Sequence, residues 1–279
     1  MRKKVLIILG YVLFFLFSFI LSLYLTFDPL PIKSFIENSA QKKGWQVEIA
    51  HLKKYRLSGI KAFEVYLKQK NSQQVIKIDQ LVARLNLFPL ITGKMKIKLL
   101  AMLYGGKIKG VVERKAKAFY ADIAINSINL SRMRAEQDNG FWINSLLSGK
   151  VKLALKNPSE PRSWQGNIRL SLKGGEIPDF SFQTFQVPAV KIQSAKLELE
   201  IKNGKAQIKT IELKSPDFPI SLSGEMELRI PLTRSILNLK GRLEPSEEYI
   251  AKIPLIKTVL SPDKTFNYRG TLSALVGTF

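Results

Sequence analysis

The chain has 279 residues, 44 Lys and Arg against 22 Asp and Glu, a formal net charge of +22 and no cysteine. The missing thiols exclude disulfides, cysteine nucleophiles and cysteine-ligated metals. His51 is the only histidine, so a Ser-His-Asp triad or an imidazole metal site would rest on it alone; flanked by Ala50 and Leu52, it reads as structural.

The first element is a run from Val5 to Phe27 with no charged side chain. As a helix it reaches roughly 34 Å, enough to cross a ~30 Å hydrocarbon core with some tilt. Arg2, Lys3 and Lys4 precede it and only Asp28 follows, so the positive-inside rule predicts a cytoplasmic tip at 1–4, a transmembrane helix at 5–27 and a body at 28–279 across the membrane. A cleaved signal peptide is the rival, but its apolar region spans only about 7–15 residues and ends at small side chains. No second stretch approaches spanning length. The prediction is a single-pass protein with its N-terminus in the cytoplasm and its main domain across the membrane, and the absence of cysteine fits a bacterial periplasmic domain.

Beyond Asp28-Pro29-Leu30-Pro31, the spacing of Ile32, Phe35, Ile36 and Ala40 predicts an amphipathic helix at 32–43, stopped by Gly44. From Trp45 the apolar period falls to about two, and successive strands follow. One strand is expected to turn at Asn71-Ser72, another to stop at Pro89, and two to join near Gly105-Gly106. Residues 128–147 read as a helical excursion that divides two β modules. The second series carries glycines ahead of alternating apolar residues, with 17 residues from Gly149 to Gly166 and 17 again from Gly224 to Gly241. Asn203-Gly204 predicts a tight hairpin turn, and 245–262 a short helix between two strands. The fold class is therefore mainly β: an antiparallel β-rich domain, groove or sandwich, with a few short helices.

Catalytic signatures are missing. There is no phosphate-binding glycine loop, zinc-binding His-Glu-x-x-His or nucleophile elbow. Ser39/Lys42 and Ser58/Lys61 match Ser-x-x-Lys at the level expected by chance in a Lys-rich chain, and Glu247 and Glu248 point apart on a helix. No enzyme activity, cofactor or metal is expected. The basic residues alternate with apolar ones, as in Lys94, Lys96 and Lys98, which describes a solvated sheet face that can also attract anionic lipid; nucleic acid is not an expected partner. On the opposite face, the stripes Leu81/Ala83/Leu85/Leu87 and Leu197/Leu199/Ile201 need cover from a second sheet, short helices, a partner protein or acyl chains.

The order of features resembles the AsmA-like family at the N-terminal side: one anchor, a Pro-bounded helix, LSGIKAFEVYL, then a Pro-Leu-x-x-Gly turn at Pro89-Leu90 and Gly93 and a Gly-Gly hairpin at Gly105-Gly106. The second half, with LSGKVKLAL, WQGNIRLSLKGGEI, LSGEMELRIPL, LKGRLEPS and YRGTLSALVG, is similar to the protein N family of bacterial type II secretion systems, with Gly224, Gly241 and Gly270 at its family-like structural turns. The resemblance implies a non-enzymatic inner-membrane component of the machine that exports folded proteins across the outer membrane, with other secretion or envelope proteins as partners. The alternative it implies is an AsmA-like protein that binds or transfers phospholipid through an apolar β-groove. The chain is much shorter than the large lipid-bridge members.

Overall fold

The computed structural model describes residues 11, 14, 15, 18, 22, 28, 30–70, 75–136, 143–182, 185–253 and 263–276. Most of the predicted crossing from Val5 to Phe27, its flanking Arg2, Lys3 and Lys4, and the expected turn at Asn71-Ser72 lie outside them. Tyr11, Phe14 and Phe15, inside that run, are helical and exposed. Among the described residues no helix is long and apolar enough to cross a membrane, so the predicted anchor finds no support there.

Helix α1 (Leu30–Gln41) begins where Asp28 Oδ1 accepts a hydrogen bond from the Leu30 amide at 3.0 Å and ends in a turn closed by Gly44 at φ +80°. It leads into a meander: β1 (Trp45–Tyr55), β2 (Gly59–Gln69), β3 (Val75–Asn86), β4 (Lys94–Leu103), β5 (Gly106–Lys115), β6 (Ala118–Asn129), β7 (Asn144–Leu155) and β8 (Trp164–Ile177). After the hairpin of β9 (Phe180–Phe182) and β10 (Phe185–Val187) and the short β11 (Val190–Lys191) come β12 (Ser194–Lys202), β13 (Lys205–Lys214), β14 (Ile220–Glu227), β15 (Ile236–Leu243) and β16 (Thr265–Thr271). All but β9 and β10 belong to one sheet, ordered as in the chain, with β11 added beside β8. Every pairing is antiparallel.

Local chemistry explains the turns. Asn203 and Gly204 both take positive φ (+52° and +77°), the two-residue hairpin geometry whose twist suits antiparallel strands. The β4–β5 turn uses Tyr104 and Gly105 (φ +50° and +75°), so it sits one residue earlier than expected and Gly106 already opens β5 opposite Leu103. Pro89 lies inside a five-residue helix, α2 (Leu87–Ile91), and Gly93 follows at φ +68°. Of the expected helical excursion at 128–147, residues 137–142 lie outside the described residues; the described part is a 3-10 turn, Leu130–Glu136, between the end of β6 and the start of β7, which pair directly with each other. The sheet is therefore continuous across that point. Helix α3 (Glu247–Lys252) falls within the predicted 245–262 segment, and α4 (Leu272–Val276) follows β16.

Because neighbours in the sheet are antiparallel, connections alternate between two ends. Those after β1, β3, β5, β7, β12 and β14 gather at what we call the first end, together with α2 and α4. Those after β2, β4, β6, β8, β13 and β15 gather at the second end, where α1 enters and α3 lies.

Candidate functional site

The pairing registers reveal a property that no single strand displays. Residues directly opposite one another share a face, so partners can be traced from strand to strand across the sheet. One row starts at Leu52 on β1, passes Leu81, Ile108, Leu170, Leu197 and Leu222, and ends at Phe266 on β16; each of its positions is apolar or glycine. A second row, two residues along, runs from Ile60 through Ala83, Ile123, Ile168, Leu199 and Leu239 to Tyr268, again without a charge. A third runs from Leu85 through Ala121, Leu153, Ile201 and Leu237 to Gly270. With strands ~4.8 Å apart, the longest row follows the sheet for roughly 58 Å. Lys54 and Arg114 border this face, at the β1 edge and at the β5–β6 hairpin.

The two stripes predicted from sequence meet here. Leu81 and Leu197 stand in the first row, Ala83 and Leu199 in the second, Leu85 and Ile201 in the third, six strands apart. Leu87 does not belong: β3 ends at Asn86, and Leu87 opens α2, exposed. Gly224, Gly241 and Gly270, expected at turns, lie inside β14, β15 and β16 and occupy the second, first and third rows.

Cover on this face is uneven. At the second end, Ile36 of α1 packs against a cluster built on Ile49, Ala62, Val65 and Ile78, and the Glu37 carboxylate accepts the Ile49 amide at 3.2 Å. Also at that end, Tyr249 of α3 and Ile253 pack with Val190, Leu213 and Phe218, the Tyr249 ring stacking on Phe218 at 5.5 Å. The Tyr249 hydroxyl donates to the Pro188 carbonyl at 3.1 Å, and burial, reinforced by the Asp217 charge, pushes its pKa up to about 12. In the C-terminal strands Ala206, Ile208, Leu237 and Leu239 are buried among their neighbours. Between these regions Leu99, Ile123, Val151 and Ile168 remain half-buried. Among the described residues no second layer lies over them.

The opposite face is polar. Lys209 meets Glu200 at 2.6 Å, Lys205 meets Glu225 at 3.2 Å, and Lys152 faces Asp122 at 3.6 Å. The Lys209 hydrogen bond and charge hold the Glu200 carboxyl below its ordinary pKa. His51 sits on this face beside Phe63, Glu64 and Asp79, in a shallow open depression. Among the described residues no group of three or more His, Asp and Glu side chains is placed to hold a metal. Single-strand alternation gives each strand's apolar side, whereas the alignment of thirteen such sides depends on the registers. Comparison with protein-family models, curated proteins and solved structures finds no match to this chain.

Proposed function

We propose that this chain is a non-enzymatic component of the bacterial type II secretion apparatus, anchored in the inner membrane by residues 5–27, with its periplasmic sheet offering its apolar face as the working surface. The observation that carries the surface assignment is the set of three uncharged rows, half-buried and without a covering layer among the described residues across the middle of the sheet. A large apolar surface of that kind marks an interaction site rather than a solvated exterior. The secretion assignment rests on the resemblance of the second half, where the motif glycines fall within the rows.

A second reading, an AsmA-like protein that binds or transfers phospholipid, is favoured by the dimensions of the same face. Three rows are about 14 Å wide, close to the ~15 Å thickness of one leaflet's hydrocarbon, half of a ~30 Å core. The absence of any charge along them suits acyl chains better than a protein groove that needs polar registration.

One experiment separates the two. A photo-crosslinking residue at Ile123, in cells of the native host, is expected to give adducts with secretion-system subunits. Phospholipid adducts alone would move the function to the second reading. Equal labelling from Ile123 and from Lys53 on the polar face would remove the apolar face as the working surface.

A further inference from the structure

The two ends of the sheet differ in a way that the faces do not explain. At the first end the connections project large apolar side chains into solvent: Phe88 is 87% exposed, Leu57 70%, and Leu90, Ile230 and Leu232 are exposed beside them. These residues come from three connections far apart in the chain, after β1, β3 and β14. The same connections and their neighbours after β5 and β7 carry Arg56, Lys117, Lys156, Arg162, Arg229 and Arg234, against one carboxylate, Glu160. Only Arg229 has an ion-pair partner among the described residues, Glu227 at 3.1 Å. At the second end Leu30 and Phe35 of α1 are exposed as well, but there carboxylates balance the cations, with Asp179, Asp217, Glu244, Glu247, Glu248 and Asp263 in its connections.

The strands repeat the asymmetry. Like charges directly opposite across a ladder destabilise it, yet toward the first end Lys53 opposes Lys61, Arg84 opposes Lys98, and Lys94 opposes Lys115. Arg84 also keeps a buried Nε with no hydrogen-bond partner. Exposed apolar tips and uncompensated cations, from separate parts of the chain, thus converge on one end. That pairing fits a surface with an apolar interior and an anionic skin.

We infer that the first end of the sheet seats on an anionic phospholipid bilayer, with Leu57, Phe88, Leu90, Ile230 and Leu232 in the interfacial layer and the surrounding Lys and Arg against phosphate head groups. It deepens the envelope reading above and rests on it: the anchor at 5–27 leads into α1 at the second end, so the bilayer that the first end meets is a second one, facing the membrane that holds the anchor. It also gives the apolar rows a lipid-facing mouth, since α1 and α3 lie at the opposite end. Burial of the tips holds the end down, and the cations choose the lipid.

The chain has no cysteine, so single cysteines label cleanly. The full chain in phosphatidylcholine nanodiscs, carrying an environment-sensitive fluorophore at Leu57→Cys, is mixed with vesicles containing nitroxide lipids. Vesicles with phosphatidylglycerol are expected to quench the Leu57 label strongly, those of phosphatidylcholine alone several-fold less, and salt should narrow the difference. A label at Glu248→Cys, exposed on α3 at the second end, should be spared. The double variant Phe88→Ser, Leu90→Ser leaves the buried clusters untouched and should lower vesicle affinity by about tenfold or more, with an unchanged circular dichroism spectrum. Equal quenching at Leu57 and Glu248, an affinity indifferent to the double variant, or saturation of the end by an acidic protein in place of vesicles would overturn the inference. The crosslink at Ile123 reads the face and the label at Leu57 reads the end, so each can fail without the other.

Discussion

Glycines on the apolar face sit opposite leucines. Across β7 and β8, Gly149 faces Leu170 and Gly166 faces Leu153; across β14 and β15, Gly241 faces Leu222 and Gly224 faces Leu239. A Cβ added at any of the four would run into the backbone of the opposite strand. The leucine fills the space the glycine leaves, and the strands approach more closely than two side chains would permit. The 17-residue spacing visible in the sequence is thus a diagonal across a hairpin, arising twice with different offsets. Gly241→Ala is expected to cost about 2–3 kcal/mol through forced backbone shift, measured as a lower urea midpoint with an unchanged slope. Tyr249 supplies a second prediction. Its phenol ionises near 10 when unfolded and near 12 when folded, so its stabilising effect is complete below pH 10 and is lost as pH rises through about 12. The melting temperature should therefore fall over that alkaline window in the native chain. Tyr249→Phe, lower by about 1 kcal/mol for the lost bond to Pro188, should lack that component of the fall.

At the scale of elements, alternation made nearly every strand legible, because a half-buried strand must place apolar residues every second position. Residues where the period breaks concealed the rest. In β13 the register shifts between Ile208 and Ile211, and in β6 between Ile125 and Ile128, each bulge returning the next apolar side chain to the same face. Read without the partner strand, such a shift looks like an irregular pattern. Leu87 was misleading for a related reason: it continues the two-residue period of β3, but Pro89 supplies no amide hydrogen for a ladder and the chain turns into α2 instead. Helix α3 falls in the segment expected to be helical, and the structure adds its cap, Ser246, whose hydroxyl accepts the Tyr249 amide at 3.2 Å ahead of Glu247 and Glu248. Ser246→Ala should cost about 1 kcal/mol. Because α3 packs on one corner of the sheet, hydrogen exchange should rise first at 247–252, with β13 and β14 protected until global unfolding.

For the whole molecule, the decisive property is a fourteen-strand sheet with three uncharged rows across one side, bordered by Lys54 and Arg114, while the other side carries the ions. Composition announced the basic excess and the stripes announced apolar sides; their alignment was hidden because it depends on every hairpin register at once. An uncovered face and a closed core make different demands on an inserted charge. A carboxylate in a closed core loses its water and finds no partner, whereas one on a half-buried face keeps part of its hydration. Leu239 is buried and Ile123 half-buried in the same row. Leu239→Asp should therefore cost about 4 kcal/mol or more and yield little folded protein, while Ile123→Asp should cost about 1–2 kcal/mol, in proportion to the water it retains. Denaturant titration of the two variants measures the difference. Ile123→Asp should fold and yet lose whatever the native face binds, because a charge in the middle of the row must be desolvated by any apolar occupant. Equal destabilisation at the two positions would mean that Ile123 lies in a closed interior and that binding must take place elsewhere on the molecule.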